Sequence, residues 1–526
     1  MVGGSAARAW SCDLERCFVK ERNLKIDNAK GVLMILVVIG HMLLPMQGTT
    51  RGVTNFFYVI YAFHMPAFVF ISGLLAQRIY THVPKAAGPA GNRAQRRRHR
   101  EDGAGTGQRV ASYHIDTSLV RTEGRFNWRR WCSTFWLYLL FQFILFFSEI
   151  PAYGRTTRFP DFLHTSGAPW YLLALLLWYL MIPFFDAYRG KVLPIGLPFS
   201  DRHVHAGSPS ISDERMHRDS RLHSGDGRHL CGIPYSLIAW LLLTIMSLAG
   251  GYLASGSLTG IGDFLALDRV IAFAPFFFAG YFIGPERLMN FLGTQQERTS
   301  VSEGGSTPVT SRRWSSKGGS KRLASRRRSS EGESNPVASG RRSSEGESNL
   351  VASCWQSLEE ASKSADRNIV LILTVLGILC FVLIGTQSFD HLYPYKNVVY
   401  GAWYYRFHAA QNPAAFPGAL ASNLWLIRLV WFIISGLMSF ALLALMPNRQ
   451  LPLLTTIGQR TLQIYILHRP IRDLLLASGF ITAAGPENSM HVLLLIILSL
   501  ALTLVLSAGM FQRLFDTIQK LPNRLF

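Results

Sequence analysis

The sequence predicts an all-α integral membrane protein, a bundle of about ten transmembrane helices with both termini in the cytoplasm. Of its 526 residues 49% are hydrophobic, yet the formal net charge is +21. Apolar runs of about 17 to 25 residues, long enough to cross hydrocarbon as helices, alternate with arginine-rich stretches. Only helices and closed barrels satisfy the backbone in lipid, and the alternating pattern of barrel strands is absent.

Ten apolar runs account for the predicted spans. In chain order they are Lys30–Leu44, Val53–Gln77, Trp131–Ile150, Pro169–Tyr188, Pro234–Ala254, Asp268–Leu288, Asn368–Thr386, Ser422–Met446, Leu453–Phe480 and His491–Phe511. The ninth run contains Arg460, His468, Arg469 and Pro470, and this composition predicts a broken helix that lines a cavity.

The distribution of basic residues predicts the orientation. The connections 79–130 and 291–366 carry 11 and 12 Lys and Arg residues, whereas each predicted outer connection carries at most two. Cytoplasmic loops collect Lys and Arg, so both long loops are placed inside the cell, in a plasma-membrane protein. This rule accounts for the basic charge, and we predict no nucleic-acid partner.

These boundaries divide the chain into seven parts. They are a cytoplasmic segment 1–29, spans one and two at 30–78, a basic disordered loop 79–130, spans three to six at 131–290 with a polar inner loop 189–233, a low-complexity loop 291–366, spans seven to ten at 367–511, and a cytoplasmic tail 512–526.

A short repeat lies in the second long loop. "RRSSEGESNPVAS" at 327–339 recurs as "RRSSEGESNLVAS" at 341–353. Without an apolar face to stack, the repeat predicts a disordered linker rather than a solenoid. Phosphorylation or attraction to anionic lipid is the alternative role.

Neither a disulfide framework nor a metal site is predicted. None of the six cysteines lies in a predicted outer segment, and the Cys12/Cys17 pair has no second pair of ligands nearby. We expect no permanently bound cofactor.

Lys30 and His41 lie on one face of the first span. Eleven residues turn a helix about 20° beyond three full turns and separate the two side chains by roughly 16 Å. This places Lys30 at the inner surface and His41 near the bilayer centre. Ionisable residues inside spans mark functional sites, although a lysine there can simply snorkel and a histidine can bond a neighbouring helix.

His64 on the second span is predicted at about the depth of His41, roughly 15 Å from the outer end by helical rise. Two imidazoles on adjacent helices could form an acid–base pair. The alternative is structural, because His64 can bond a carbonyl that Pro66 frees from the helix.

Two further groups are candidates for binding. Arg460 and His468 lie on the ninth span, where an arginine at the inner end suits a phosphate or carboxylate. Aromatic and basic residues on the predicted outer side suit stacking against sugar rings or an interfacial aromatic belt; they are Trp170, Arg269, Trp403, Tyr404 and Arg406.

Taken together, these residues predict a polar cavity open to both membrane surfaces. Such a protein is either an enzyme that takes one substrate from each side or a transporter or flippase for glycan precursors with a histidine proton relay. No internal repeat relates the two halves, which argues against inverted-repeat transport. A scaffold that recruits partners would leave the histidines unexplained.

Five stretches resemble, in order, signatures of the membrane-bound acyltransferase-3 family, with the closest similarity to its fucose 4-O-acetylase-like branch. They are "IDNAKGVLMILVVIGH", "FHMPAFVFISG", "APWYLLALLLWYL", "FAPFFFAGYFIG" and "IGQRTLQIYILH". The resemblance implies transfer of an acyl group, usually acetyl from cytoplasmic acetyl-CoA as co-substrate, to a hydroxyl of an extracytoplasmic glycan or its lipid-linked precursor.

The resemblance also implies roles for individual residues. Lys30 and His41 match the family pattern of a basic residue, ten positions and a histidine, although arginine is the more frequent basic residue. His41 would act as general base or acyl carrier, with His64 and the region of Ser72 as donors to the oxyanion. Lys30 and Arg460 would hold the CoA phosphates, and Trp170, Arg269 and His468 would contact the glycan.

Many relatives carry an additional soluble domain after the spans. Because this sequence ends about 15 residues beyond the tenth predicted span, we expect it to act alone or with a separate glycan-biosynthesis protein.

Overall fold

The computed structural model describes residues 23–46, 50–84, 122–154, 159–164, 167–189, 191–194, 232–253, 264–293, 344–386, 405, 423–485 and 487–521. The helices are α1 Leu24–Leu43, α2 Arg51–Leu75, α3 Trp128–Tyr153, α4 Trp170–Asp186, α5 Tyr235–Leu253, α6 Leu267–Phe291, α7 Ser344–Gly385, α8 Leu424–Leu445, α9 Pro452–Gln459, α10 Thr461–Ala477, α11 Ser489–Leu506 and α12 Gly509–Lys520.

The prediction of an all-α membrane protein is confirmed. Among the described residues, eight helices are long and apolar enough to cross a membrane. The fourth predicted span corresponds to α4, an apolar helix of 17 residues. The ninth corresponds to α9 and α10, which meet at the non-helical residue Arg460, so the predicted break in this helix is also confirmed.

The first helix begins earlier than predicted. The segment 1–29 was predicted to be cytoplasmic because it is charged, but α1 starts at Leu24, where the Asn23 side chain accepts a hydrogen bond from the backbone N–H of Ile26. Lys25 and Asp27 are buried against protein. Because the helix ends at Leu43, His41 lies in the last turn of α1.

The ends of two predicted loops form strands. β1 Tyr80–Pro84 pairs antiparallel with β2 Thr122–Phe126, inside the segment 79–130 that was predicted to be disordered. In the same way, β3 Val192–Pro194 pairs with β4 Gly232–Pro234 inside 189–233. In each pair, the first strand follows the end of one helix and the second strand precedes the start of the next. The helices therefore bring the two strands close together.

Two further helices replace predicted irregular segments. α7 begins at Ser344, well inside the loop predicted at 291–366. From 350 to 366 the sequence has no glycine or proline and is rich in helix-forming residues. α12 occupies most of the predicted tail 512–526. Its apolar residues recur three and four positions apart, as in a helix with one apolar face.

The described chain forms two compact units. One comprises Met1–Leu288 and Leu371–Phe526, and the other comprises Met289–Val370. The first contains the functional side chains discussed below, and the second contains the end of α6 and the first part of α7.

Close helix crossings organise the first unit. A Cβ atom at Gly73 of α2 would collide with the carbonyl of Phe277 on α6, and one at Gly280 of α6 would collide with the carbonyl of Phe70. Gly31 and Gly458 allow a similar approach of α1 and α9. Small residues let helix backbones approach closely in membranes, and the α1–α9 crossing places the start of α10 beside α1.

Candidate functional site

The centre of the site is a contact between two histidines on α1 and α10. The ring centroids of His41 and His468 are 5.3 Å apart, with the ring planes inclined at 40°. His468 is 1% exposed, whereas His41 is partly exposed. Nδ1 of His41 and Nε2 of His468 are both buried without a hydrogen-bond partner among the described residues.

The surroundings of His468 determine which of its nitrogens carries the proton. Nδ1 lies 2.9 Å from the backbone carbonyl oxygen of Ile464. A carbonyl can only accept, so in the neutral ring we assign the proton to Nδ1 and the lone pair to Nε2. His468 therefore presents a proton-accepting nitrogen in a buried setting.

Side chains near the break between α9 and α10 hold in place the helix that carries His468. The Arg460 guanidinium donates to the carbonyl of Ser507, 2.5 Å away, and the Gln463 amide donates to the carbonyl of Leu506 at 2.6 Å. These bonds satisfy carbonyl groups at the end of α11 that lack partners within the helix. They hold the start of α10 two turns from His468.

A buried cluster of charged side chains lies next to the histidines. It was not predicted from the sequence as a functional group. It joins Arg469, Arg472 and Asp473 on α10 to Glu149 on α3, and each of the four is at most 6% exposed. Nη2 of Arg469 lies 3.7 Å from Glu149 Oε1 and 3.8 Å from Asp473 Oδ1. Two arginines and two carboxylates balance in charge, as buried ions require.

Arg472 connects this cluster to α1. Its Nε donates to the backbone carbonyl of His41 at 3.2 Å, and its Nη1 donates to Asp473 Oδ1 at 2.8 Å. Nη1 also donates to the Tyr153 hydroxyl. Because the His41 carbonyl belongs to the last turn of α1, this contact fixes the end of the helix that carries the imidazole.

His64 contacts other groups than the predicted one. Its Nδ1 lies 2.7 Å from the carbonyl of Ile60, and its ring packs edge-on against Tyr61 at 4.7 Å. The carbonyl that Pro66 frees, that of Ala62, accepts instead from the Ser435 hydroxyl at 2.5 Å. The structure brings His41 into ring contact with His468 rather than His64, because helix rotation, and not depth alone, decides which rings meet.

The predicted glycan-binding residues on α4 and α6 lie together. The Arg269 guanidinium carbon is 5.1 Å from the centroid of the Trp170 ring. Phe273 stacks on the same ring at 5.4 Å with an interplanar angle of 24°. Trp403, Tyr404 and Arg406 lie outside the described residues.

The segment 159–164 lies beside the start of α6. His164 forms an isolated bridge with Phe264, and Asp161 accepts the backbone N–H groups of Leu163 and His164 at 2.9 and 3.0 Å. The N–H of Leu163 is the main cause that holds the pKa of Asp161 below its usual value.

Aromatic side chains connect the Trp170 region with the histidines. The Tyr171 hydroxyl lies 2.5 Å from Ser72 Oγ, which itself donates to the carbonyl of Phe68 at 2.8 Å. The Tyr171 ring meets Tyr465 at 5.6 Å, and Tyr465 lies 6.2 Å from His468. Ser72 therefore has its proton engaged and accepts the proton of Tyr171.

Lys30 is engaged inside the protein. Its Nζ lies 2.8 Å from Asp27 Oδ1, and the side chains are 15% and 7% exposed. No group of three or more His, Cys, Asp or Glu side chains among the described residues could hold a metal ion.

Comparison with known proteins identifies the family. The profile of the acyltransferase-3 family, described as an acyltransferase domain, matches residues 23–292, about half of the chain. The protein belongs to this acyltransferase family. The match contains His41, His64 and Trp170 and ends before His468, so the second histidine of this acyltransferase comes from outside the matched region.

Two curated relatives share a short region with this acyltransferase. The nodulation protein NolL of Mesorhizobium japonicum is 50% identical over 58 residues, which is 10% of this chain and 16% of the relative. NolL of Sinorhizobium fredii is 47% identical over 58 residues, with the same coverage. The similarity thus spans about a sixth of each relative, and the fucose 4-O-acetylase-like branch stays a prediction. No solved structure matches the chain significantly.

Proposed function

We propose that this protein is a membrane O-acyltransferase that moves an acyl group, acetyl in the simplest case, from cytoplasmic acyl-CoA to a sugar hydroxyl outside the cytoplasm. The observation that carries the proposal is the contact between His41 and His468, each with a buried nitrogen that has no partner among the described residues. In a member of an acyltransferase family, a pair of imidazoles is suited to removing the proton of an attacking alcohol.

His41 acts as the general base in this proposal. Its Nε2 takes the proton of the sugar hydroxyl while the alcohol oxygen attacks the thioester carbonyl carbon. The imidazolium that forms needs an acceptor for its other N–H. The two nitrogens are not hydrogen-bonded in the structure, and in this proposal a turn of the contacting rings brings the Nε2 lone pair of His468 to that N–H. The tetrahedral intermediate then expels the CoA thiolate, which recovers the proton, so the products are an ester and free CoA.

The site formed by Trp170 and Arg269 supports a sugar as the acceptor of the acyl group. A sugar presents C–H groups on one face and hydroxyls at its edge, which suits the exposed side of Trp170 and the guanidinium of Arg269. The stack of Phe273 and Arg269 on Trp170 fixes the indole. The rings of Tyr171 and Tyr465 lie in sequence between this ring and His468.

The side chains that would bind the acyl-CoA donor are less clearly defined. Lys30 pairs with Asp27 and Arg460 donates to Ser507, so a phosphate would have to compete with bonds that the protein already makes. The binding of CoA phosphates by these two residues stays a prediction.

The test is an acyl-transfer assay on membranes that contain the wild type, His41→Ala or His468→Ala at equal amounts. Radiolabelled acetyl-CoA is supplied, and both free CoA and label in extracted glycans are measured. General-base catalysis contributes about 10²- to 10⁴-fold, so we expect His41→Ala to lose at least 100-fold and His468→Ala to lose less.

Two outcomes would contradict the proposal. Near-normal product formation by His41→Ala would exclude His41 as the general base. Movement of a glycan precursor across the membrane by the wild type without release of CoA would indicate a transporter instead.

A further inference from the structure

We infer that Arg469 donates the hydrogen bond that stabilises the oxyanion of the reacting thioester, an assignment that rests on the proposed acyl transfer. The tetrahedral intermediate places a negative charge on the former carbonyl oxygen. Preorganised donors aimed at such an oxygen in a dry site are among the largest contributions to catalysis. A residue in this role must be buried and must have an N–H or O–H that no other group in the protein already uses.

The two donors predicted from the sequence have their protons engaged. His64 donates from Nδ1 to the carbonyl of Ile60, so in the neutral ring its Nε2 can only accept. Ser72 donates to the carbonyl of Phe68. Neither can serve the oxyanion without breaking a bond that it makes in the resting protein.

Arg469 is different from its neighbour Arg472, although both are buried on the same helix. Arg472 makes hydrogen bonds with the His41 carbonyl, Asp473 and Tyr153. Arg469 is 6% exposed, and its Nε has no hydrogen-bond partner among the described residues. Its contacts with Glu149 and Asp473, at 3.7 and 3.8 Å, are longer than hydrogen bonds.

A buried guanidinium with an unused N–H is rare and indicates a ligand, because an unsatisfied buried donor is costly. Arg469 directly follows His468 in the chain, and the His468 ring contacts that of His41. The two carboxylates attract the guanidinium and limit its movement without using Nε. Nε–H therefore remains available to an oxygen that becomes charged beside the imidazoles.

The alternative role for Arg469 is neutralisation of Glu149 and Asp473. In that case Arg469→Gln would fail only because it leaves one carboxylate unpaired, and the double variant Glu149→Gln/Arg469→Gln would restore both charge balance and activity. If Arg469 serves the oxyanion, the double variant folds but stays inactive. This pair of variants separates the two roles even where Arg469→Gln alone folds poorly.

The experiment measures acetyl transfer from radiolabelled acetyl-CoA to the endogenous glycans of the membranes. We expect Arg469→Gln and the double variant to lower kcat about 100- to 1000-fold, as removal of one oxyanion donor does, with little change in KM for acetyl-CoA. Arg469→Lys should lie between these and the wild type, because lysine keeps the charge without the fixed fork. Arg513→Gln, an exposed arginine of α12, is the matched control and should be unaffected.

Three results would overturn the assignment: normal kcat in Arg469→Gln, recovery in the double variant, or a raised KM with unchanged kcat, which indicates binding of a ground-state anion. The proposed function has its own readout in the same membranes. If the wild type transfers no label, the acyl-transfer proposal fails. If the wild type is active and His41→Ala is not, Arg469→Gln and the double variant Glu149→Gln/Arg469→Gln together decide the role of Arg469.

Discussion

Asn28 shows how one buried polar residue holds the functional helix in place. Its amide nitrogen lies 2.9 Å from the carbonyl oxygens of both Pro447 and Arg449, and its amide oxygen accepts from the Thr455 hydroxyl at 2.6 Å. Asn28 is 0% exposed; its bond with Thr455 is buried, and its bonds with Pro447 and Arg449 are partly buried. They attach α1, which carries His41, to the connection between α8 and α9.

We predict that Asn28→Ala destabilises the protein strongly. Each buried group left without a partner costs about 1–3 kcal/mol; the change leaves the buried Thr455 hydroxyl without its acceptor and removes the donor of two partly buried carbonyls. Thermal unfolding of the purified protein in detergent measures the effect. Asn448→Ala, at an exposed asparagine of the same connection, is the control and should leave the unfolding temperature unchanged; an equal loss in both variants would contradict the prediction.

The residue scale also shows what could not be found in the sequence. His41 and His468 are each recognisable as ionisable residues in apolar runs, but their contact joins positions more than 400 residues apart. The prediction used depth in the membrane and placed His64 beside His41. In the structure, the ring beside His41 is that of His468. Glu149 and Asp473 were overlooked, although the rule that charges within spans mark function applies to both.

At the scale of helices, glycine determines how closely α2 and α6 cross. Gly73 and Gly280 face each other's backbones, and an added Cβ atom at either would meet a carbonyl oxygen that cannot rotate away. The sequence stretches around these glycines matched the family resemblance, but a glycine in an apolar run does not reveal which helix it faces. The crossing itself was therefore beyond prediction.

We predict that Gly73→Ala destabilises the bundle by about 1–3 kcal/mol or more, the usual cost of overpacking. Gly436→Ala is the matched control, because a Cβ atom at this helical glycine of α8 would meet nothing within 4 Å. Alanine is favoured over glycine within helices by about 1 kcal/mol, so the control should be neutral or more stable. Thermal unfolding in detergent distinguishes the two, and equal stability of both variants would count against a close crossing.

The helix ends show why the predicted boundaries were partly wrong. Hydropathy starts a span where charges stop, and so placed Lys25 and Asp27 outside the first span. In the structure these residues are buried against protein and belong to α1. Conversely, the tenth span ends at Leu506, where Arg460 and Gln463 bind the last carbonyls, and α12 begins three residues later.

For the whole molecule, the site depends on the assembly of distant helices. α1 supplies His41, α3 supplies Glu149, and α10 supplies His468, Arg469 and Arg472. The fold class follows from composition and run length, which are local properties. The site does not, since none of these helices carries more than part of it, and only the packing of α10 between α1 and α3 brings the parts together.

We predict the orientation of this bundle from the charge distribution, and labelling can test it. Cys132 is exposed near the start of α3, on the side predicted to be cytoplasmic, and Ser478 is exposed at the end of α10, on the side predicted to be outside. In a background without other cysteines, Cys132 should react with a membrane-impermeant maleimide only in inverted vesicles. A single cysteine introduced by Ser478→Cys should react in intact cells. Reversed labelling would place His41 near the cytoplasmic surface and Lys30 outside, where Lys30 could not bind the phosphates of a cytoplasmic CoA donor. The proposed direction of transfer therefore depends on this result.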